Sequence, residues 1–256
     1  MEHDLKYRKL RTWNLIMGGL HLIQAAVIFA LSRDFTMPVT SAFLNFDQAT
    51  QSLKPVTDTV FNLPFGGGVA LFLLISSIAH FTIASPKVFP WYARNLSRGI
   101  NYARWFEYSL SASVMVVLIA LLSGLSDIAA LLSVFTLTAV MNLCGLLMEV
   151  RNQTTAKTDW APFWVGSLAG IIPWLAIAFY FFGSIATADG AVPTFVYFIL
   201  PILFVFFNLF AINMWLQYKK VGRWADYLYG ERVYILLSLL AKSALAWQVF
   251  AGTLRP

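Results

Sequence analysis

Seven stretches of this chain are each apolar for about 20 residues, the length a helix needs to cross the hydrocarbon core of a bilayer. They fall near Trp13–Leu31, Pro64–Ile83, Ile100–Leu122, Ile128–Val150, Pro162–Phe182, Pro193–Tyr218 and Val233–Leu254. In lipid, backbone polar groups must be satisfied within the segment, so runs of this length restrict the fold to a helical bundle. Composition agrees: 12% of the 256 residues are charged and 59% are hydrophobic, whereas about a quarter are charged in soluble domains. The expected architecture is an all-α membrane protein, one domain over residues 1–256, built as seven transmembrane helices in a lipid bilayer. The charged opening segment, Met1–Arg11, runs into the first apolar stretch without an obvious small-residue cleavage site, which reads as a helix rather than a signal peptide. Cys144 is the single cysteine and lies inside an apolar run, so no intramolecular disulfide and no metal cluster is expected.

The basic residues report how such a bundle sits. A net charge of +6 would suggest nucleic acid in a soluble chain, but here the cations lie between apolar runs, and no nucleic-acid partner is expected. The amino terminus and the second, fourth and sixth loops hold fourteen of them, among them Lys6, Arg98, Arg151 and Arg223. The other loops and the carboxyl end hold three: Arg33, Lys54 and Arg255. Positive charge gathers on the cytoplasmic side, so the amino terminus is expected inside and the carboxyl terminus outside, in a multi-pass protein of the cell membrane. The first loop, residues 32–63, is the long one. Its β-branched and aromatic residues, "FTMPVTSAFLNF", broken by Pro38, Asn45 and Pro55, predict a short hairpin over the extracellular face. That loop reads either as a partner surface or as a solvent-exposed lid.

One charge breaks the pattern. Lys242 stands in the middle of "LLSLLAKSALAWQVF", about 15 Å of helix from Arg232, the nearer charged residue. A lysine stem covers roughly half of that, so its ammonium cannot snorkel to water. A charge at a helix centre costs about 2.5–3.5 kcal/mol even on lenient insertion scales, which calls for a partner. Glu107 is the only carboxylate of the third helix and lies at matching depth, nine residues past Arg98 against ten past Arg232 for Lys242. Ser111 lies one turn beyond Glu107 and Ser238 one turn before Lys242. From residue types alone the pair reads as a structural ion pair, a transporter's coupling residues or a site of aldehyde capture. His21 and His80, with Asn14 and Gln24 on the helix of His21, suit a hydrated cavity that holds a proton, or are satisfied by neighbouring helices. Asn101 and Arg104 are assigned to the same cavity, although Arg104, like Glu149, Asp127 and Glu231, also reads as a helix-end residue.

At these residues the sequence resembles a known family. "YARWFEY" resembles the third helix of microbial rhodopsins, where an arginine precedes the counterion carboxylate by three positions, and "AKSALAWQ" resembles the helix that carries the retinal-binding lysine. The specific resemblance is to the heliorhodopsins, through "GGLHLIQ", "LFLLISSIAHF", "RWFEYSLSASVMVVLIA", "APFWVGSLAGIIPW" and "YLYGERVYILLSLLAKSALAWQ". It implies a seven-helix rhodopsin-like bundle with inverted topology, in agreement with the loop charges. It further implies all-trans-retinal bound to Lys242 as a protonated Schiff base, Glu107 as single counterion, a homodimer, and a slow photocycle that signals to a cytoplasmic partner without pumping ions. Ion-pump patterns are absent: Ser238 stands where proton pumps carry an aspartate, and Leu118 where they carry a second carboxylate. By position in the matched motifs, Tyr108, Ser111, Met115, Met141, Gly145, Trp164, Phe207, Asn208, Ser238 and Trp247 are candidates to line the retinal. The expected function is a photoreceptor, not an enzyme. The alternatives are a light-gated channel on the same chromophore and a retinal-free transporter coupled through Lys242 and Glu107, which asks for broken helices near Pro173 and Pro201.

Overall fold

A computed structural model describes the backbone of residues 2–188 and 194–255, with side chains for residues 7–188 and 197–255. Among these, seven helices are long and apolar enough to span a membrane. The helices are α1 (Glu2–Leu31), α2 (Phe65–Ala84), α3 (Phe89–Ser97), α4 (Tyr102–Leu122), α5 (Ile128–Arg151), α6 (Ala161–Ala186), α7 (Thr194–Tyr218) and α8 (Tyr227–Val249). A π-helical turn, Phe250–Leu254, carries the last span to its end. Short polar residues set the starts. The side chains of Asn101, Asp127 and Asp226 accept hydrogen bonds from the amides of Arg104, Ala130 and Leu228, satisfying donors that a helix start leaves free. Gly124, at φ +98°, ends α4 in the left-handed conformation that glycine adopts without strain.

Two expectations on element limits change. α1 begins at Glu2 rather than Trp13, because Tyr7 and Leu10 are buried in a cluster with Ile83, Tyr92, Leu96 and Ile235, which extends the helix beyond the apolar run. The short helix α3 was not expected. It starts with Pro90 in its first turn and buries Tyr92 and Leu96 on one face, so tertiary packing supports a segment too short to hold as an isolated helix. Pro193, the expected start of the sixth span, lies outside the described residues. Pro173 and Pro201 sit inside continuous helices, against the broken helices that the transporter reading asks for.

The first loop is a long antiparallel hairpin, β1 (Thr36–Asp47) and β2 (Ser52–Pro64), with one bulge between Val39 and Thr40. At its tip the Asp47 carboxylate accepts the amides of Ala49 and Thr50, and Lys54 bonds it at 2.5 Å. These contacts, the Lys54 side chain first, hold that exposed carboxyl below its ordinary range. The base is fastened to the bundle. Thr40 N donates to Ser126 O at 2.8 Å, and Arg33 donates from its amide to Leu254 O and from Nε to Thr253 O.

In the bundle α1 packs on α2, α2 on α4, α4 on α5, α5 on α6, and α7 on α8, while α8 returns against α1. Lipid is as apolar as these side chains, so close packing rather than hydrophobic burial selects the contacts. Gly166 permits one such approach: a Cβ there would lie 2.8 Å from Cys144 Cβ on α5. The half nearer the hairpin is a continuous apolar core around Phe65, Phe72, Met115, Leu118, Ile119 and Leu203. Polar groups concentrate in the other half.

Candidate functional site

The buried lysine meets the buried carboxylate. Lys242 Nζ lies 2.9 Å from Glu107 Oε1 and 2.8 Å from Ser238 Oγ, with side-chain exposures of 4% and 9% for Lys242 and Glu107. α8 supplies the lysine and the serine one turn apart, and α4 supplies the glutamate. Ser76 on α2 donates to Glu107 Oε1 at 2.6 Å. Sequence reasoning passed over Ser76, although a serine pair one turn before His80 in an apolar helix was the available signal. Lys242 Nζ also sits 5.1 Å from the centre of the Tyr108 ring, whose negative face favours a cation. The ammonium is thus held at a fixed depth by one full charge, one hydroxyl and one aromatic face.

From Lys242 a cavity runs between α4, α5, α6, α7 and α8. It holds about 1060 Å³ of space free of atoms, its open mouth included. Its walls include Trp105, Tyr108, Met115, Met141, Gly145, Phe163, Trp174, Phe204, Phe207 and Asn208, together with Ser238 and Lys242. Most of that surface is aromatic or aliphatic, and the amine stands among it. This is the shape and chemistry for a long apolar ligand attached through Lys242. Three expected lining residues are elsewhere. Trp164 is 67% exposed and points outward, while its neighbour Phe163 lines the cavity. Trp247 turns outward and donates from Nε1 to Gln24 Oε1 at 3.0 Å. Ser111 is buried near Glu107, outside the lining.

On the amino-terminal side of Glu107 the interior is polar. His21 and His80 stack with ring centres 5.7 Å apart, and His80 Nδ1 lies 2.8 Å from Asn14 Oδ1. Both ring nitrogens of His21 are buried without a protein partner among the described residues, an arrangement that suits water. A smaller cavity, about 380 Å³ with its mouth, joins Asn14, His80, Glu107, Asn101, Arg104 and Glu231. Gln24 takes no part in it, being turned toward Trp247.

Glu149 and Glu231, expected as helix-end residues, and Arg104, expected either there or in the proton-holding cavity, form a buried cluster. Arg104 pairs with Glu149 at 2.5 Å and with Glu231, and the three residues are 7%, 2% and 0% exposed. Asn101 donates from its amide to Glu149 and from Nδ2 to Glu231, and Tyr227 OH donates to Glu149. The guanidinium lies between the rings of Trp105 and Tyr234, 4.4 and 4.0 Å from their centres. Asp127 is the one of the four that does cap a helix.

A search of curated proteins found no match. A family model described as Heliorhodopsin matches residues 10–254, nearly the whole chain, in keeping with seven spanning helices and a cavity lined in part by a buried lysine. The chain therefore belongs to the heliorhodopsin family, light-sensing rhodopsins that bind retinal in the membrane.

Proposed function

We propose that this protein is a photoreceptor that holds all-trans-retinal on Lys242 as a protonated Schiff base, with Glu107 as its single counterion, and signals without pumping ions. The observation that carries the reading is the 2.9 Å pair of Lys242 and Glu107, with Lys242 in the wall of a largely apolar cavity. When bound, retinal supplies absorption of visible light and a change of shape upon it. Everything else falls to the chain. Glu107 holds a positive charge at the Lys242 nitrogen, and Ser76 and Ser238 orient the two partners through hydrogen bonds. Tyr108, whose ring centre lies 5.1 Å from the Lys242 nitrogen, helps to keep water from it.

Pumping is disfavoured by what lies beyond the pair on the hairpin side. Met115, Leu118 and Ile119 are buried in apolar core, which offers a proton neither a carrier nor a wet path. The polar half, with His21, His80 and Asn14, is where a proton displaced from the site would be kept. Signalling through that half, toward a cytoplasmic partner, follows from placing the basic, amino-terminal end inside the cell. The hairpin supports a homodimer. Leu44, Phe46 and Leu53 share one face of an isolated two-stranded ribbon and are 67%, 58% and 62% exposed, an apolar surface that a second copy would cover.

The test is the visible spectrum of purified protein given all-trans-retinal, for the wild type, Glu107→Gln and Lys242→Ala. The expected result is a visible band in the wild type, moved to longer wavelength in Glu107→Gln and lost in folded Lys242→Ala. A coloured Lys242→Ala protein would falsify the assignment. Photocurrents from the illuminated wild type in a clamped cell would favour the channel reading instead.

A further inference from the structure

Trp105 touches both halves of the molecule. One edge of its indole lines the apolar cavity. The other donates from Nε1 to Glu149 Oε2 at 2.7 Å, and Arg104 lies over the ring at 4.4 Å. The contact with α5 is unusually close for a reason that lies in the sequence. Gly145 stands one turn before Glu149, and a Cβ on Gly145 would lie 2.3 Å from the indole, so only glycine leaves room for the ring. The ring thus lies flat enough on α5 to reach the carboxylate one turn further along. It is also wedged edge-on against Tyr234, 5.8 Å between centres, and Tyr108, 6.4 Å. A side chain boxed in on these sides cannot swing freely, and a push on its cavity edge is passed to its N–H.

We infer that Trp105 is the positioning residue that carries the change at the retinal site to the buried Arg104–Glu149–Glu231 cluster, by moving the hydrogen bond it makes to Glu149. The inference rests on the proposal that retinal fills the cavity. The cluster is suited to receive such a push. Glu149 takes four donors, from Asn101, Arg104, Trp105 and Tyr227, and loss of one redistributes the rest. Two carboxylates share one guanidinium, so the balance between Glu149 and Glu231 turns on which neutral donors each keeps. Because Arg104 and Glu231 stand near the starts of α4 and α8 and Glu149 near the end of α5, redistribution there alters how those three helix ends are held together. A competing path exists through the polar cavity that joins Glu107 to Arg104 and Glu231 without Trp105. The test must separate the two.

The measurement is the light-minus-dark infrared difference spectrum of the retinal-loaded full chain, for the wild type, Glu149→Gln, Trp105→Phe and Gly145→Ala. The expected wild-type spectrum contains a carboxyl signal that Glu149→Gln removes. Trp105→Phe, which keeps an aromatic ring and loses the N–H, should reduce that signal by about five-fold or more relative to the retinal bands of the same sample. Gly145→Ala keeps the indole but displaces it, and should give the same loss, so the inference is tested even where Trp105→Phe fails to load retinal. A Glu149 signal at full size in either variant overturns the inference and assigns the path to the polar cavity. A wild-type spectrum with a visible band but no Glu149 signal overturns it as well. If no visible band forms in well-folded wild type, the retinal reading itself falls, and this inference with it.

Discussion

Ser76 and Arg104 show how much a single buried polar atom is asked to do here. Ser76 is fully buried and donates to the same carboxylate oxygen that faces Lys242. Hydrogen bonds to charged groups contribute about 1.5–3 kcal/mol, so Ser76→Ala should measurably weaken the hold on the Glu107 charge. The expected outcome is a shift of the visible band in the same direction as Glu107→Gln but smaller, read in the same spectrometer. Arg104 is the only cation of its cluster. Arg104→Ala leaves Glu149 and Glu231 buried without their counter-charge, a change that costs about 3–5 kcal/mol where a buried pair is broken. Denaturant titration should show that loss, and Arg104→Ala combined with Glu149→Gln and Glu231→Gln should recover much of it, since no unpaired charge then remains. A triple variant no more stable than Arg104→Ala would mean that the guanidinium acts through packing between Trp105 and Tyr234.

Elements meet at points where one side chain is missing. Gly166 lets α6 approach Cys144 on α5, and Gly170 lets it approach Met141, whose Sδ would lie 2.4 Å from a Cβ on Gly170. Gly166→Leu should therefore push α6 away from α5 and destabilise the bundle by about 1–3 kcal/mol, visible as a lower thermal midpoint of the retinal-loaded protein. A midpoint within error of the wild type would mean that α6 relaxes without strain. The hairpin is held differently. Asp47 closes its tip through two backbone amides and Lys54, all exposed to water. Because the folded hairpin lowers the affinity of that carboxyl for protons, its contribution is present above the ordinary carboxylate range and is lost as pH falls through the lowered value. Amide exchange at Thr50–Lys54 should speed up in Asp47→Ala, while the base of the hairpin, tied to Ser126 and Leu254, should not change.

At the scale of the whole molecule, seven spans among the described residues put the two ends of the bundle on opposite faces, and the proposal that the amino-terminal end lies inside rests on the loop charges. With Cys144→Ser as background, a single cysteine at Gln48 in the hairpin tip should react with a membrane-impermeant thiol reagent on intact cells. One at Val221, in the basic loop before α8, should react only after lysis. The opposite pattern would reverse the orientation and place the polar half of the interior on the outside. The same asymmetry bears on transport: the buried apolar core on the hairpin side should keep illuminated cells from acidifying or alkalising their medium beyond a retinal-free control.

The spans, the loop charges and the depth match of Lys242 with Glu107 were legible in one dimension. Each is an interruption of a simple pattern: a run of apolar residues, an uneven count of cations, a charge where none belongs. What lines the cavity was only partly legible, for a physical reason. Lipid and protein interior are equally apolar, so a membrane helix carries little periodic signal of which face turns inward, and Trp164 and Phe163 could not be told apart from sequence. The long hairpin was expected as a small one, because strand length depends on cross-strand pairing and not on local pattern alone. The Arg104 cluster was legible only in part: Arg104 and Asn101 were expected at a polar cavity, but the carboxylates that complete it, Glu149 and Glu231, read as helix-end residues. Its members are 45 and 127 positions apart in the chain, and each taken singly looks like a residue marking a helix end. Only the packing of α4 against α5 and α8 buries them together, and burial is what converts three ordinary end charges into one interdependent group.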